Sequence, residues 1–93
     1  MTIGLVKLEL YIPGSRSLKE KRRVLKSLIE RTRDRYNVAV AEMENNDLWA
    51  RATVAVVTVG NETQHVNSVL NKVVAQFDGH PEAEVISVTM EML

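Results

Sequence analysis

Residues 3–12 alternate, with Val6, Leu8, Leu10 and Ile12 in one phase and Lys7, Glu9 and Tyr11 in the other. A period of two predicts a strand with one buried face. Pro13-Gly14-Ser15-Arg16 ends it as a turn. The period then lengthens. Leu18, Leu25, Leu28, Ile29 and Thr32 share one stripe at helical spacing, with Lys19, Arg23, Lys26, Glu30 and Arg33 opposite. Ser17 and Glu20 fit a capping box, in which the serine oxygen accepts from the Glu20 amide and the carboxylate reaches back. A helix is therefore expected from this cap to about Arg35. Lys26 precedes Glu30 by one helical turn, and Glu30 stands three residues before Arg33, so part of the charge is expected to pair within the helix.

Tyr36 to Glu44 read as a second strand, with Val38 and Val40 on one face and Ala39, Ala41 and Met43 on the other. Glu44-Asn45-Asn46-Asp47 supplies a reversal. Leu48 to Val59 form the longest strand, closed by Gly60 and Asn61. Asn61 with Gln64 offers a second capping signal, and Val66, Val69, Leu70, Val73 and Phe77 give a second helical stripe. Asp78-Gly79-His80-Pro81 stops it. Glu84 to Met92 make the last strand, with Ile86, Val88, Met90 and Met92 on one face.

The order βαββαβ predicts an α+β, ferredoxin-like fold: one domain over residues 1–93, a four-stranded antiparallel sheet, and two helices on one face. The other face then lacks a cover. Its outward set includes Tyr11, Ala39, Ala41, Met43, Trp49, Arg51, Thr53, Ala55, Val57 and Val59, polar at one end and apolar at the other. An exposed apolar strip on that scale marks a partner surface. Tyr11, Met43, Trp49, Arg51, Val57 and Val59 are the expected protein interface, most simply in a homodimer.

Charge changes this picture. The 93-residue chain has zero formal net charge and no cysteine. Residues 1–35 hold ten Lys or Arg against four Asp or Glu, a net of +6, and the remainder carries −6. A genome-wide DNA binder would carry a net positive charge, but a local basic face can still attract phosphate. Arg16, Lys19, Arg22, Arg23 and Lys26 are the expected nucleic-acid contacts, supported by Arg31, Arg33 and Arg35; such groups suit backbone phosphates rather than base reading. The sheet lacks the aromatic stacking pattern of an RNA-recognition sheet. RNA would therefore meet the first helix. The same charge run also fits a solvated helix face.

The remaining chemistry is sparse. Without cysteine there is no disulfide, thiolate nucleophile or cysteine-bound zinc. No stretch approaches a membrane span and no secretory signal is visible, so a cytoplasmic protein is expected. His65 and His80 stand fifteen residues apart without a ligand motif, and no metal, cofactor or small-molecule substrate is expected. Glu42, Glu44 and Asp47 form an acidic group at a hairpin end, which serves solubility more often than catalysis; Glu42 and Glu44 are expected on one strand face. No serine stands in a nucleophile elbow. "PGSRS" has one glycine and lacks the closing Lys-Ser/Thr of a phosphate loop, although a helix N-terminus follows it. Lys21 falls between Leu18, Leu25 and Leu28 on the wheel. Its stem can cross the apolar edge to water, or its ammonium can pair with a carboxylate.

The runs "SRSLKEKRRVLKSL" (Ser15 to Leu28), "YNVAVAE" (Tyr36 to Glu42) and "DLWARATVAV" (Asp47 to Val56) resemble a small bacterial family of unknown function, the YlxP-like proteins. The likeness spans nearly the whole chain, with Ser17, Leu18, Lys19, Lys21, Arg22, Asp47, Trp49, Arg51 and Ala52 in the matching runs. The resemblance implies a ferredoxin-like domain with no established activity and no catalytic residues to carry over. It also implies a gene found beside ribosome-maturation genes, hence an RNA or ribosome association. Two expectations follow: a non-enzymatic accessory protein touching RNA through the first helix, or a homo-oligomeric protein-interaction module using the open sheet face.

Overall fold

The computed structural model describes residues 1–44 and 48–93. The elements are β1 (Thr2–Tyr11), α1 (Leu18–Arg35), β2 (Ala39–Glu44), β3 (Arg51–Gly60), α2 (Thr63–Asp78) and β4 (Glu84–Met92). The sheet order is β2-β3-β1-β4, and every neighbouring pair is antiparallel. Both helices lie on one face. This is the ferredoxin-like α+β arrangement that the element order predicts. Most of the reversal expected at Glu44–Asp47 lies outside the described residues.

The alternation of β1 sends Val6, Leu8 and Leu10 under the helices, and Ile12 follows them inward just past the strand. Val54 and Val56 of β3 join them from the neighbouring strand. From above, α1 contributes Val24, Leu25 and Leu28, and α2 contributes Val66, Leu70, Val73 and Phe77. Val24 joins the buried stripe, while Leu18 and Ile29 are half-buried at its margin. The helices touch through polar side chains: Gln76 Nε2 donates to Thr32 Oγ1 at 3.4 Å, and Thr32 Oγ1 donates back to the Leu28 carbonyl at 2.8 Å.

The first cap forms. Ser17 Oγ accepts from the Glu20 amide at 3.1 Å. The Glu20 carboxylate reaches one residue further back than expected and accepts from the Arg16 amide at 2.6 Å. The second cap does not form. Glu62, not Asn61, occupies the N-cap of α2 and makes no side-chain cap bond. The start of α2 is instead tied to β1 by Thr2 Oγ1 and Thr63 Oγ1, 2.9 Å apart.

Two strands depart from simple alternation. In β4 the register with β1 shifts between Glu9 and Leu10, so Ser87 opposes Glu9 while Val85 opposes Leu10. Ile86 is the extra residue of this bulge. It leaves the phase of Val88, Met90 and Met92, and Val85 packs on the core in its place. In β2 the register with β3 shifts between Glu42 and Glu44, which places Glu44 opposite Thr53. The expectation that Glu42 and Glu44 share one strand face rests on the Glu44 side chain, which lies outside the described residues.

Gly4 is the close-approach point between β1 and α2. A Cβ there would stand 2.5 Å from Val66 Cγ1 and 2.8 Å from Leu70 Cδ1. Gly4→Ala should overfill this contact and lower unfolding free energy by about 1–3 kcal/mol, read as a reduced urea midpoint with an unchanged slope.

Candidate nucleic-acid interface

Helix α1 settles with its apolar stripe inward, and that rotation carries Lys19, Arg22, Arg23 and Lys26 to the exposed side, with Arg16 just ahead of them. Lys19 neighbours Arg22 and Arg23, and Arg22 neighbours Lys26, at three- or four-residue spacing. Like charges so placed cost roughly 0.2–0.5 kcal/mol per pair in a helix. Among the described residues Arg16, Lys19 and Arg22 make no ion pair. The other two are partly answered. Arg23 meets Glu82 at 2.8 Å, and Lys26 lies 4.0 Å from Glu30. The hydrogen bond between Arg23 and Glu82, followed by the carboxylate's charge, raises the guanidinium pKa; the same bond lowers the carboxyl pKa of Glu82. Both pairs are solvent-exposed and add little to stability.

The later arginines serve the fold. Arg33 does not pair with Glu30 but donates to the Val40 carbonyl of β2 at 2.7 Å. Arg35 lies over the Tyr36 ring at 5.7 Å. Arg31 is exposed. Between α1 and β2 runs a groove of about 420 Å³, lined by the apolar Leu25, Ile29 and Val40, by Arg22, Lys26 and Arg33, and by the carboxylates of Glu30 and Glu42.

Lys21 takes the opposite course from its neighbours. It is fully buried, so its stem does not carry the ammonium to water. Its Nζ lies 3.2 Å from Glu42 Oε2 and donates to the Arg51 carbonyl at 3.2 Å. The Glu42 contact is a close ion pair, off line for a hydrogen bond. Lys21 thereby joins the start of α1 to β2 and to the first residue of β3. The wheel position announces a lysine at the core margin; the identity of its carboxylate depends on where β2 ends up.

The expected protein-interface residues are all exposed, but they form two groups rather than one. Tyr11 and Arg51 are cross-strand partners, with the guanidinium 5.5 Å from the ring centroid. Trp49 lies just before β3, 59% exposed, and Met43 lies on β2 at 56%. Val57 and Val59 stand at the far end of β3, about 20 Å from Arg51 at roughly 3.3 Å per residue. Thr53, between the groups, is buried.

The turn before α1 is a poor phosphate cradle. Glu20 already occupies the Arg16 amide, and Glu82 lines the same hollow, so an anion there would face two carboxylates. His65 is exposed near the start of α2, whereas His80 is buried beyond its end and accepts the Glu82 amide on Nδ1 at 3.1 Å. The two imidazoles do not converge.

Removing one partner of a buried ion pair strands the other. Lys21→Ala should cost about 3 kcal/mol for this reason, whereas Lys19→Ala on the exposed side should stay within about 0.5 kcal/mol. Denaturant titration of the two variants checks the contrast.

No helix of the described residues is long and apolar enough to cross a membrane. Residues 3–90 match the family described as "Protein of unknown function (DUF503)". The chain is also 34% identical over 82 residues to "Uncharacterized protein YlxP" of Bacillus subtilis (strain 168), an overlap covering 88% of this chain and 89% of that relative. With matches of this extent, the chain belongs to the DUF503 family.

Proposed function

We propose that this is a non-enzymatic accessory protein that binds folded RNA through backbone phosphates, using the outer face of α1. The observation that carries the reading is the cluster of Arg16, Lys19 and Arg22. These cations repel one another at the start and along one side of a helix, and among the described residues no carboxylate forms an ion pair with their side chains; Glu20 is held on the Arg16 backbone amide. A polyanion relieves that repulsion. Arg23 and Lys26 extend the face, and each exchanges a weak exposed carboxylate contact for a phosphate. Zero net charge over the whole chain suits a local contact rather than a general grip on nucleic acid. The open sheet face carries Tyr11 and Trp49 but no run of aromatics for stacking bases.

A second reading, a protein-interaction module without nucleic acid, rests on the exposed Val57 and Val59 of that open face together with the exposed Met43 and Trp49.

Binding to a structured RNA should weaken with salt at a log–log slope of about −0.7 to −0.9 per phosphate contacted. Changing Lys19, Arg22, Arg23 and Lys26 together to Glu should abolish binding while circular dichroism stays native. Salt-independent binding, or none at low salt, would reject the proposal.

The Arg23–Glu82 contact adds a pH prediction. Glu82 has a lowered pKa, so the contact persists at neutral pH and is lost as pH falls through that lowered value. Glu82→Gln should therefore strengthen RNA binding near neutrality and flatten its rise towards acid, as read by fluorescence anisotropy.

A further inference from the structure

The two edges of the sheet are finished differently. On the β2 edge Arg33 reaches over and occupies the Val40 carbonyl, and the strand is only six residues long. Among the described residues the β4 edge has no such side-chain guard. Its sequence, EVISVTMEM, contains neither lysine nor proline, the usual edge protectors.

The direction of the β4 backbone groups follows from one pair. Ile3 and Leu93 exchange both of their N–H···O bonds, at 3.2 and 2.7 Å. Hydrogen-bonded and non-hydrogen-bonded pairs alternate along an antiparallel ladder. With Gly4 opposite Met92, Val6 opposite Met90 and Leu8 opposite Val88, these three are the non-bonded pairs. The N–H and C=O groups of Val88, Met90 and Met92 therefore point away from β1, off the free edge of the sheet. Their side chains share the helix-covered face with Val6 and Leu8, yet Val88 is 44% and Met92 36% exposed. The roof stops short of them.

We infer that a second copy of this chain pairs with β4 in antiparallel register about a two-fold axis at Met90, making one continuous eight-stranded sheet. In that register Met90 meets Met90 of the second copy, and Val88 meets Met92. Each outward amide and carbonyl of this segment gains a partner. Thr89 falls opposite Glu91, so no like charges are opposed. The bulge at Ile86 lies just beyond the paired segment and ends it. The two α2 helices lie on the same side of the joined sheet. Seated over the two β1 strands, they would stand about three strand spacings apart, ~14 Å, wider than the ~8–10 Å of directly packed helices. Val88, Met90 and Met92 of both copies fill the floor between them. Asn67, Asn71 and Val74 line this side of α2, with Asp78 at its last residue, opposite the Gln76 that faces α1. The outer face of α1 and the open sheet face both remain free.

Sedimentation of the full chain over a micromolar concentration series tests this. The native protein should be a dimer. Val88→Lys or Met92→Glu alone should weaken it about ten-fold or more, through unpaired charge at the seam. The double variant V88K/M92E should restore the dimer, because this register sets each lysine opposite a glutamate. Hydrogen exchange on the unaltered protein gives a second readout, with protection of the Val88, Met90 and Met92 amides rising with concentration. A native monomer throughout the series, single variants that stay folded and dimeric, or a dimer dissolved by Val57→Lys but restored by no β4 pair would overturn the inference. So would exchange at these amides that does not change with concentration.

Discussion

One rotation, that of α1 about its own axis, decides where the charge of this protein goes. Burying Val24, Leu25, Leu28 and Thr32 against the sheet fixes every other residue of the helix within a few tens of degrees. Lys21 falls on the inner side and must find a partner there, which it does in Glu42 and the Arg51 carbonyl. Lys19, Arg22, Arg23 and Lys26 fall on the outer side. The buried and the exposed cations follow from the same packing, so a basic surface is a consequence of forming the core.

The sheet shows the same economy. Two helices can roof only part of four strands. Here α2 sits over the strands it can reach, and β4 is left with half-covered valine and methionine and a row of unused backbone groups. No helix covers the opposite face, although Thr53 on it is buried. Small alanines on β2 and valines on β3 line part of it, while Arg51 lies over Tyr11 at one end. Among the described residues, the surfaces left outside the core include three of different chemistry: a cationic helix face, an apolar strand edge, and a mixed sheet face.

Much of this was legible in the residues. Alternation in β1 named its inward set, and the exposed side of α1 could be read from spacing alone, because both depend on local periodicity. The capping box at Ser17 was legible for the same reason. Pairing decided what was not. Nothing in EVISVTMEM marks Ile86 as the extra residue; the bulge exists only relative to Glu9 and Leu10 on β1. Nothing near Lys21 names Glu42, which reaches it only after β2 has paired with β3. Arg33 looked like a partner for Glu30 on the helix, but an edge carbonyl 2.7 Å away took it instead. The Asn61 cap failed because the chain entered α2 at Glu62 and secured it through a hydroxyl contact with β1.

The functional account stands on the outer face of α1 being the part of the molecule that meets phosphate. Amide chemical shifts recorded during titration with a short RNA hairpin test this residue by residue. The account predicts movement concentrated at Arg16, Lys19, Arg22, Arg23 and Lys26, with the resonances of Tyr11, Arg51 and Val57 left in place. Movement centred on the open sheet face, or none along α1, would contradict it.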